Sequence, residues 1–216
     1  MNYRHAFHAG NFADVVKHAV LVRILVHLRE KPAPFRVIDT HAGAGRYDLA
    51  AEEAQRSGEW REGIDRLVRA PIAARERALL APYLDAVAAC NGAGRLTTYP
   101  GSPALARAFL RAQDRLVACE LEPNAAAALA RNLAGDRRSK AVTIDGWTAL
   151  NAYCRRRSGA AWCSSILPSR TPAISRGWRR RSPPRTANGQ AGSILPGIRS
   201  RSARRPTRSL IGYQAR

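Results

Sequence analysis

Three points in this 216-residue chain set an acidic residue at the end of a short apolar run, close to glycine or histidine. Asp39 is followed by His41, Gly43 and Gly45; Glu120 closes the run Arg115–Glu120; Asp145 stands next to Gly146. A glycine turn lets backbone approach a bound molecule closely. An acid ending the next run can accept hydrogen bonds from both hydroxyls of a ribose. An acid beside glycine at the following run can take an exocyclic adenine amine and leave room for the ring. The dinucleotide fingerprint would need a third glycine at position 48, which is Asp. Its absence argues against a pyrophosphate cradle and favours a nucleoside cofactor without phosphate, such as S-adenosylmethionine. A nicotinamide oxidoreductase is weakened further, because its ribose acid belongs about 20 residues past the loop. Glu120 lies 75 residues past Gly45.

The elements that must carry these residues are legible around them. Asn11 can cap a helix from about Phe12 to Glu30, with Phe12, Val15, Val16, Ala19, Val20, Ile24 and Leu28 broadly on one side, ended by Pro32 and Pro34. Phe35–Asp39 reads as a strand. The stretch after it reads as three helices, Asp48–Gln55, Glu59–Arg69 and Ala73–Cys90, too long for a simple crossover and so a small inserted subdomain over residues 48–92. Thr97–Tyr99 is a second strand, with a helix from about Ser102 to Arg111. Arg115–Glu120 is a third strand, Pro123–Leu133 a helix and Ala141–Asp145 a fourth strand. Strands alternating with helices predict a parallel α/β sheet, which binds ligands at the carboxyl ends of its strands.

Charge divides the chain in two. The net +20 splits into +15 from residues 154–216, which hold 15 Arg and no Lys, Asp or Glu, and +5 from residues 1–153. The body permits a nucleic-acid partner without demanding one. Cys90, Cys119, Cys154 and Cys163 have no C-x-x-C spacing, which suits reduced thiols in the cytoplasm and implies no metal site. No run is apolar and long enough to suggest a signal peptide or a membrane span.

Several segments of residues 2–153 resemble the bacterial 23S ribosomal RNA adenine-N6 methyltransferase family, the J-type enzyme of the large subunit. They are Tyr3-Arg4-His5-Ala6-Phe7-His8-Ala9-Gly10-Asn11, Asp14-Val15-Val16-Lys17-His18, Asp39-Thr40-His41-Ala42-Gly43-Ala44-Gly45-Arg46-Tyr47, Tyr99-Pro100-Gly101-Ser102-Pro103 and Glu120-Leu121-Glu122-Pro123. The resemblance implies a Rossmann-like S-adenosylmethionine-dependent methyltransferase fold with a small inserted helical subdomain, acting as a monomer in the cytoplasm on 23S rRNA. By it, His18, His41, Ser102, Glu120, Asp145 and Gly146 would contact S-adenosylmethionine. Tyr3 would face the RNA, with His5 and Lys17 near the target base. Each residue also admits a plainer reading. His18 could pack in the core, Lys17 be solvated, Ser102 cap the following helix, and Asp145-Gly146 form a simple turn.

The departure lies after Tyr153. Amino-methyltransferases of this class carry an Asp/Asn-Pro-Pro-Tyr/Phe turn after the fourth core strand. Its polar side chain and a proline carbonyl accept from the adenine N6 amine, and its ring stacks on a base flipped from its helix. Residues 154–216 lack that turn, so no catalytic residue is assigned. Restoring one nucleotide after Tyr153 lets the shifted frame encode a hydrophobic strand, an Asp-Pro-Pro-Phe turn, an amphipathic helix and a second strand. The aspartate codon then falls across Ser165 and Ile166. The expectation is an N-terminal methyltransferase part over 1–153, with the C-terminal half of the sheet missing and an out-of-frame, disordered 154–216. A basic RNA-binding arm is the alternative.

Overall fold

The computed structural model describes residues 4–92, 95–154 and 160–164. The chain divides into two units, Met1–Arg170 and Thr171–Arg216, and every described residue lies in the first. The elements of that unit are α1 (Phe12–Arg29), β1 (Phe35–Asp39), β2 (Arg46–Asp48), α2 (Glu52–Ser57), a π-helical turn Arg61–Asp65 running into α3 (Arg66–Arg69), and α4 (Ala74–Ala89). They continue with β3 (Thr98–Pro100), α5 (Ser102–Ala108), β4 (Arg115–Glu120), α6 (Pro123–Leu133), β5 (Ser139–Thr143), α7 (Gly146–Cys154) and β6 (Ala160–Ser164).

Four parallel strands in the order β5-β4-β1-β6 form the main sheet. β1 is buried along nearly its whole length, as expected of a strand covered on both faces. Asp114 secures its entry, accepting from the Phe35 amide and from the Arg111 guanidinium, which also donates to the carbonyls of Lys31 and Ala33. α1 begins where the Asn11 side chain accepts from the Asp14 amide at 2.9 Å, and it packs Leu21, Val22 and Leu25 into the core.

Three expectations need correction. The strand at Thr97–Tyr99 does not join the parallel sheet. Shifted by one residue to Thr98–Pro100, it pairs antiparallel with β2, setting Tyr47 opposite Tyr99, and β2 ends on Asp48, the residue expected to start a helix. The buried side of α1 is also different. It carries Asp14, Val15, His18, Leu21, Val22 and Leu25, while Phe12, Val16 and Val20 are exposed. The helix is apolar nearly all round, so periodicity alone could not choose its inner face.

The third concerns the strand beside β1, which was expected to be lost with the reading frame. β6 occupies that position, pairing Phe35 with Ala160 through Asp39 with Ser164. Strand pairing uses main-chain groups, which a chain supplies whatever frame encoded it. The described sheet still ends at β6. Ser165, Ile166 and the remaining Arg-rich residues, whose disorder was expected, lie outside the described residues.

A candidate nucleoside site at the strand tips

The carboxyl ends of β1, β4 and β5 converge. β1 runs into a turn with Gly43 at φ 61° and Gly45 at φ 81°, in the left-handed region that favours glycine. A Cβ on Gly43 would also collide with the Tyr47 hydroxyl. That hydroxyl accepts from the Ala44 amide at 3.1 Å, and the Gly101 amide donates to the Gly45 carbonyl at 2.9 Å, fixing the turn against the start of α5.

Glu120, half-buried at the tip of β4, faces this turn. Its Oε2 accepts from the Gly43 amide at 2.8 Å; its Oε1 accepts from the amides of Leu121 and Glu122 at 2.8 and 2.9 Å. Three backbone donors thus aim the carboxylate along the rim between β1 and β4. Asp39 sits deeper, 1 % exposed. The Ser102 hydroxyl donates to its Oδ2 at 2.6 Å and the His41 amide to its Oδ1 at 3.3 Å. Burial pushes the Asp39 carboxyl up to about 6, and these hydrogen bonds only partly offset the shift. Ser102 therefore supports a buried acid and does not cap α5, whose N-cap is Gly101.

At the third tip, β5 ends two residues short of the expected Asp145. The Asp145 Oδ1 caps α7, accepting from the Thr148 amide and hydroxyl at 2.9 and 3.1 Å. A Cβ on the neighbouring Gly146 would collide with the Thr40 carbonyl and lie 2.7 Å from His41 Cε1. His41 meets Trp147 edge-on, ring centres 6.3 Å apart, and bonds through Nδ1 to the Thr40 hydroxyl at 3.0 Å. Burial lowers the His41 pKa, against the pull of Glu120 and Asp145. The tips therefore combine a carboxylate aimed by backbone amides, a backbone turn that demands glycine, and a glycine packed where a side chain cannot fit. These residues fit an adenine nucleoside, and their donor set suits S-adenosylmethionine.

Two of the predicted RNA-side residues, His5 and Lys17, gather round Asp14, which sequence reasoning did not single out. This acid, 2 % exposed, accepts from His5 Nε2 at 3.0 Å, Lys17 Nζ at 2.9 Å and the Gly10 amide at 3.2 Å. His5 hydrogen bonding and its neighbouring cations hold the Asp14 carboxyl well below the usual range despite burial. His5 lies 5.1 Å from the Tyr47 ring, which ties this cluster to the glycine turn. Lys17 is therefore engaged, not simply solvated. Tyr3 lies outside the described residues. His18 is buried, with Nδ1 2.7 Å from the Tyr99 hydroxyl, and no described residue hydrogen-bonds to its Nε2. The available signal for Asp14 was its place three residues after a capping Asn and three before a lysine. Among the described residues no group of three His, Cys, Asp or Glu could hold a metal ion, and no helix is long and apolar enough to cross a membrane.

Comparison with known proteins points the same way. The family described as ribosomal RNA large subunit methyltransferase D, RlmJ (RsmJ), matches residues 32–161, reaching two residues into β6. Ribosomal RNA large subunit methyltransferase J of Escherichia coli is 45 % identical over 152 residues, covering 70 % of this chain and 53 % of that protein. The Haemophilus influenzae protein of the same name is 38 % identical over 153 residues, again covering 70 % and 53 %. The crystal structure of a DUF519 protein from Legionella pneumophila superposes with a TM-score of 0.60 at 35 % identity, covering 69 % of this chain and 54 % of that one. The chain spans about half the length of the curated relatives it matches.

Proposed function

The chain belongs to the RsmJ/RlmJ family of ribosomal RNA large subunit methyltransferases, and we propose that its described part is the cofactor-holding portion of an S-adenosylmethionine-dependent enzyme that methylates N6 of an adenine in 23S rRNA. The carrying observation is Glu120, aimed by three backbone amides along the rim opposite the Gly43 turn. Glu120 would accept from the ribose hydroxyls. Asp145 and Gly146 would take the adenine edge, with His41 beside them, while Ser102 and His18 complete the set. Bound there, the cofactor supplies an electrophilic methyl group. His5 and Lys17, held by Asp14, would lie on the RNA side with Tyr3, in a monomer working in the cytoplasm.

The same reading divides binding from transfer. Residues 1–153, with the helical insertion at 48–92, form the N-terminal part of the catalytic domain, and the frame is lost after Tyr153. Beyond Asp145 the sequence has no Asp or Glu to accept from an adenine amine. The 216-residue chain therefore binds the cofactor but does not methylate. Calorimetric titration with S-adenosylmethionine should show binding by the chain and loss of more than about a hundredfold in Glu120→Ala, the scale of two hydrogen bonds to a charged group. Unchanged affinity in that variant would sink the site, and methyl transfer to 23S rRNA by the chain would sink the division. The fifteen arginines of residues 154–216 favour a second reading, a non-catalytic RNA-binding protein with a basic arm. Sequencing the DNA around codon 153 separates them, since stop codons in the shifted frame would leave the arm as the encoded product.

A further inference from the structure

α1, β3 and α4 meet at a buried line of three polar rings. The hydroxyls of Tyr83 on α4 and Tyr99 on β3 are 3.1 Å apart, and the Tyr99 hydroxyl lies 2.7 Å from Nδ1 of His18 on α1. All three side chains are at most 2 % exposed. Counting protons against acceptors fixes the direction of donation. Among the described residues the Tyr83 hydroxyl has no hydrogen-bond partner but Tyr99. If Tyr99 donated to Tyr83, the Tyr83 proton would be buried without an acceptor, which native interiors avoid. Tyr83 therefore donates to Tyr99, and Tyr99 donates to His18 Nδ1. Burial pushes the His18 pKa down to about 4, so the ring is neutral at physiological pH. A neutral imidazole that accepts at Nδ1 carries its proton on Nε2. No described residue accepts from that Nε2–H.

We propose that Tyr99, itself oriented by Tyr83, is a positioning residue that holds His18 as the Nε2–H tautomer, a donor for the carboxylate at the amino-acid end of the methyl donor. This rests on the cofactor reading of the strand tips. There Asp145, Gly146 and Glu120 are assigned to adenine and ribose, and the carboxylate is the remaining acceptor suited to an N–H. The inserted helices, through Tyr83, thereby act on cofactor binding and not only on the shape of the fold.

The test uses the full 216-residue chain, labelled with nitrogen-15. Long-range proton–nitrogen spectra near pH 7.5 should show His18 protonated on Nε2 alone. Calorimetric titrations should compare S-adenosylmethionine with 5′-methylthioadenosine, which lacks the amino-acid end. Tyr99→Phe should mix the two tautomers and weaken S-adenosylmethionine about tenfold, with methylthioadenosine unchanged. Tyr83→Phe should keep the tautomer and cost about threefold for S-adenosylmethionine alone. A wild-type Nδ1–H tautomer, or equal losses for both ligands, overturns the proposal. A wild type with the stated tautomer that binds neither ligand overturns the cofactor reading and carries the proposal down with it.

Discussion

Two clusters of buried polar groups flank the same glycine turn, and they are built on opposite principles. At the strand tips, backbone does the positioning. Glu120 is aimed by three amides, Gly43 and Gly45 are required by φ, and Asp39 is supported by a neutral hydroxyl and an amide. On α1, side chains do it. Asp14 gathers a histidine and a lysine, and His18 leans on two tyrosines. One buried acid is matched by cations and the other is not, so their carboxyl pKa values move in opposite directions. Burial alone does not set the charge of an acid; its partners do.

The largest effect should come from breaking the matched acid. Asp14→Ala leaves Lys17 and His5 without their shared acceptor and the Gly10 amide without its partner. Removing one member of a buried ion pair costs about 3–5 kcal/mol, so urea denaturation of the variant should show a loss on that scale. Because the Asp14 pKa is depressed, its contribution is complete above about pH 4, the unfolded value, and is lost only as acid takes the pH lower. A loss below about 1 kcal/mol would make the cation cluster incidental and erase the contrast.

Between pH 4 and 6.5 the clusters should pull against each other. The folded chain holds the Asp39 proton up to about pH 6, whereas the unfolded chain releases it near 4. Stability from this group is therefore full below pH 4 and declines as pH rises to 6. His18 resists protonation down to about pH 4, while the unfolded chain takes up that proton near 6.5. Its contribution is full above pH 6.5 and declines as pH falls to 4. Each swing is about 3 kcal/mol, so these two contributions should nearly cancel across this window. Asp39→Asn should unmask a loss of stability toward acid, and His18→Gln a gain. Denaturation curves at pH 4.5 and 7 check both; parallel behaviour of the two variants would remove the distinction.

Legibility from sequence followed the same divide. β1, β4, α6 and the glycine turn were readable because prolines, caps and strand-end acids are local signals, and local signals also mark a backbone-built site. β2 was hidden because Arg46-Tyr47-Asp48 extends only to meet Tyr99, a partner 52 positions further on. β6 was hidden because its composition argued for a broken frame, while pairing asks only for main-chain groups and modest side chains. Asp14 was quoted within a motif, yet its burial was invisible, since an acid on an apolar helix reads as its outer side; His18 was already open to a reading packed in the core, and it is buried.

The smallest predicted effect tests that inner face directly. Val20 belongs to the apolar set expected to face the core, yet it is 54 % exposed, whereas Leu25 is 0 % exposed. Val20→Gln removes no buried contact and should change stability by less than about 0.5 kcal/mol. Leu25→Ala, on the side shared with Asp14 and His18, should cost about 2–5 kcal/mol through lost burial and a residual cavity. The pair is decisive because rotating α1 to bury Val20 would carry Asp14 and His18 toward solvent. Both clusters on α1 depend on that rotation, so a Val20→Gln cost matching that of Leu25→Ala would undo the shared acceptor of Lys17 and His5 along with the buried ring line.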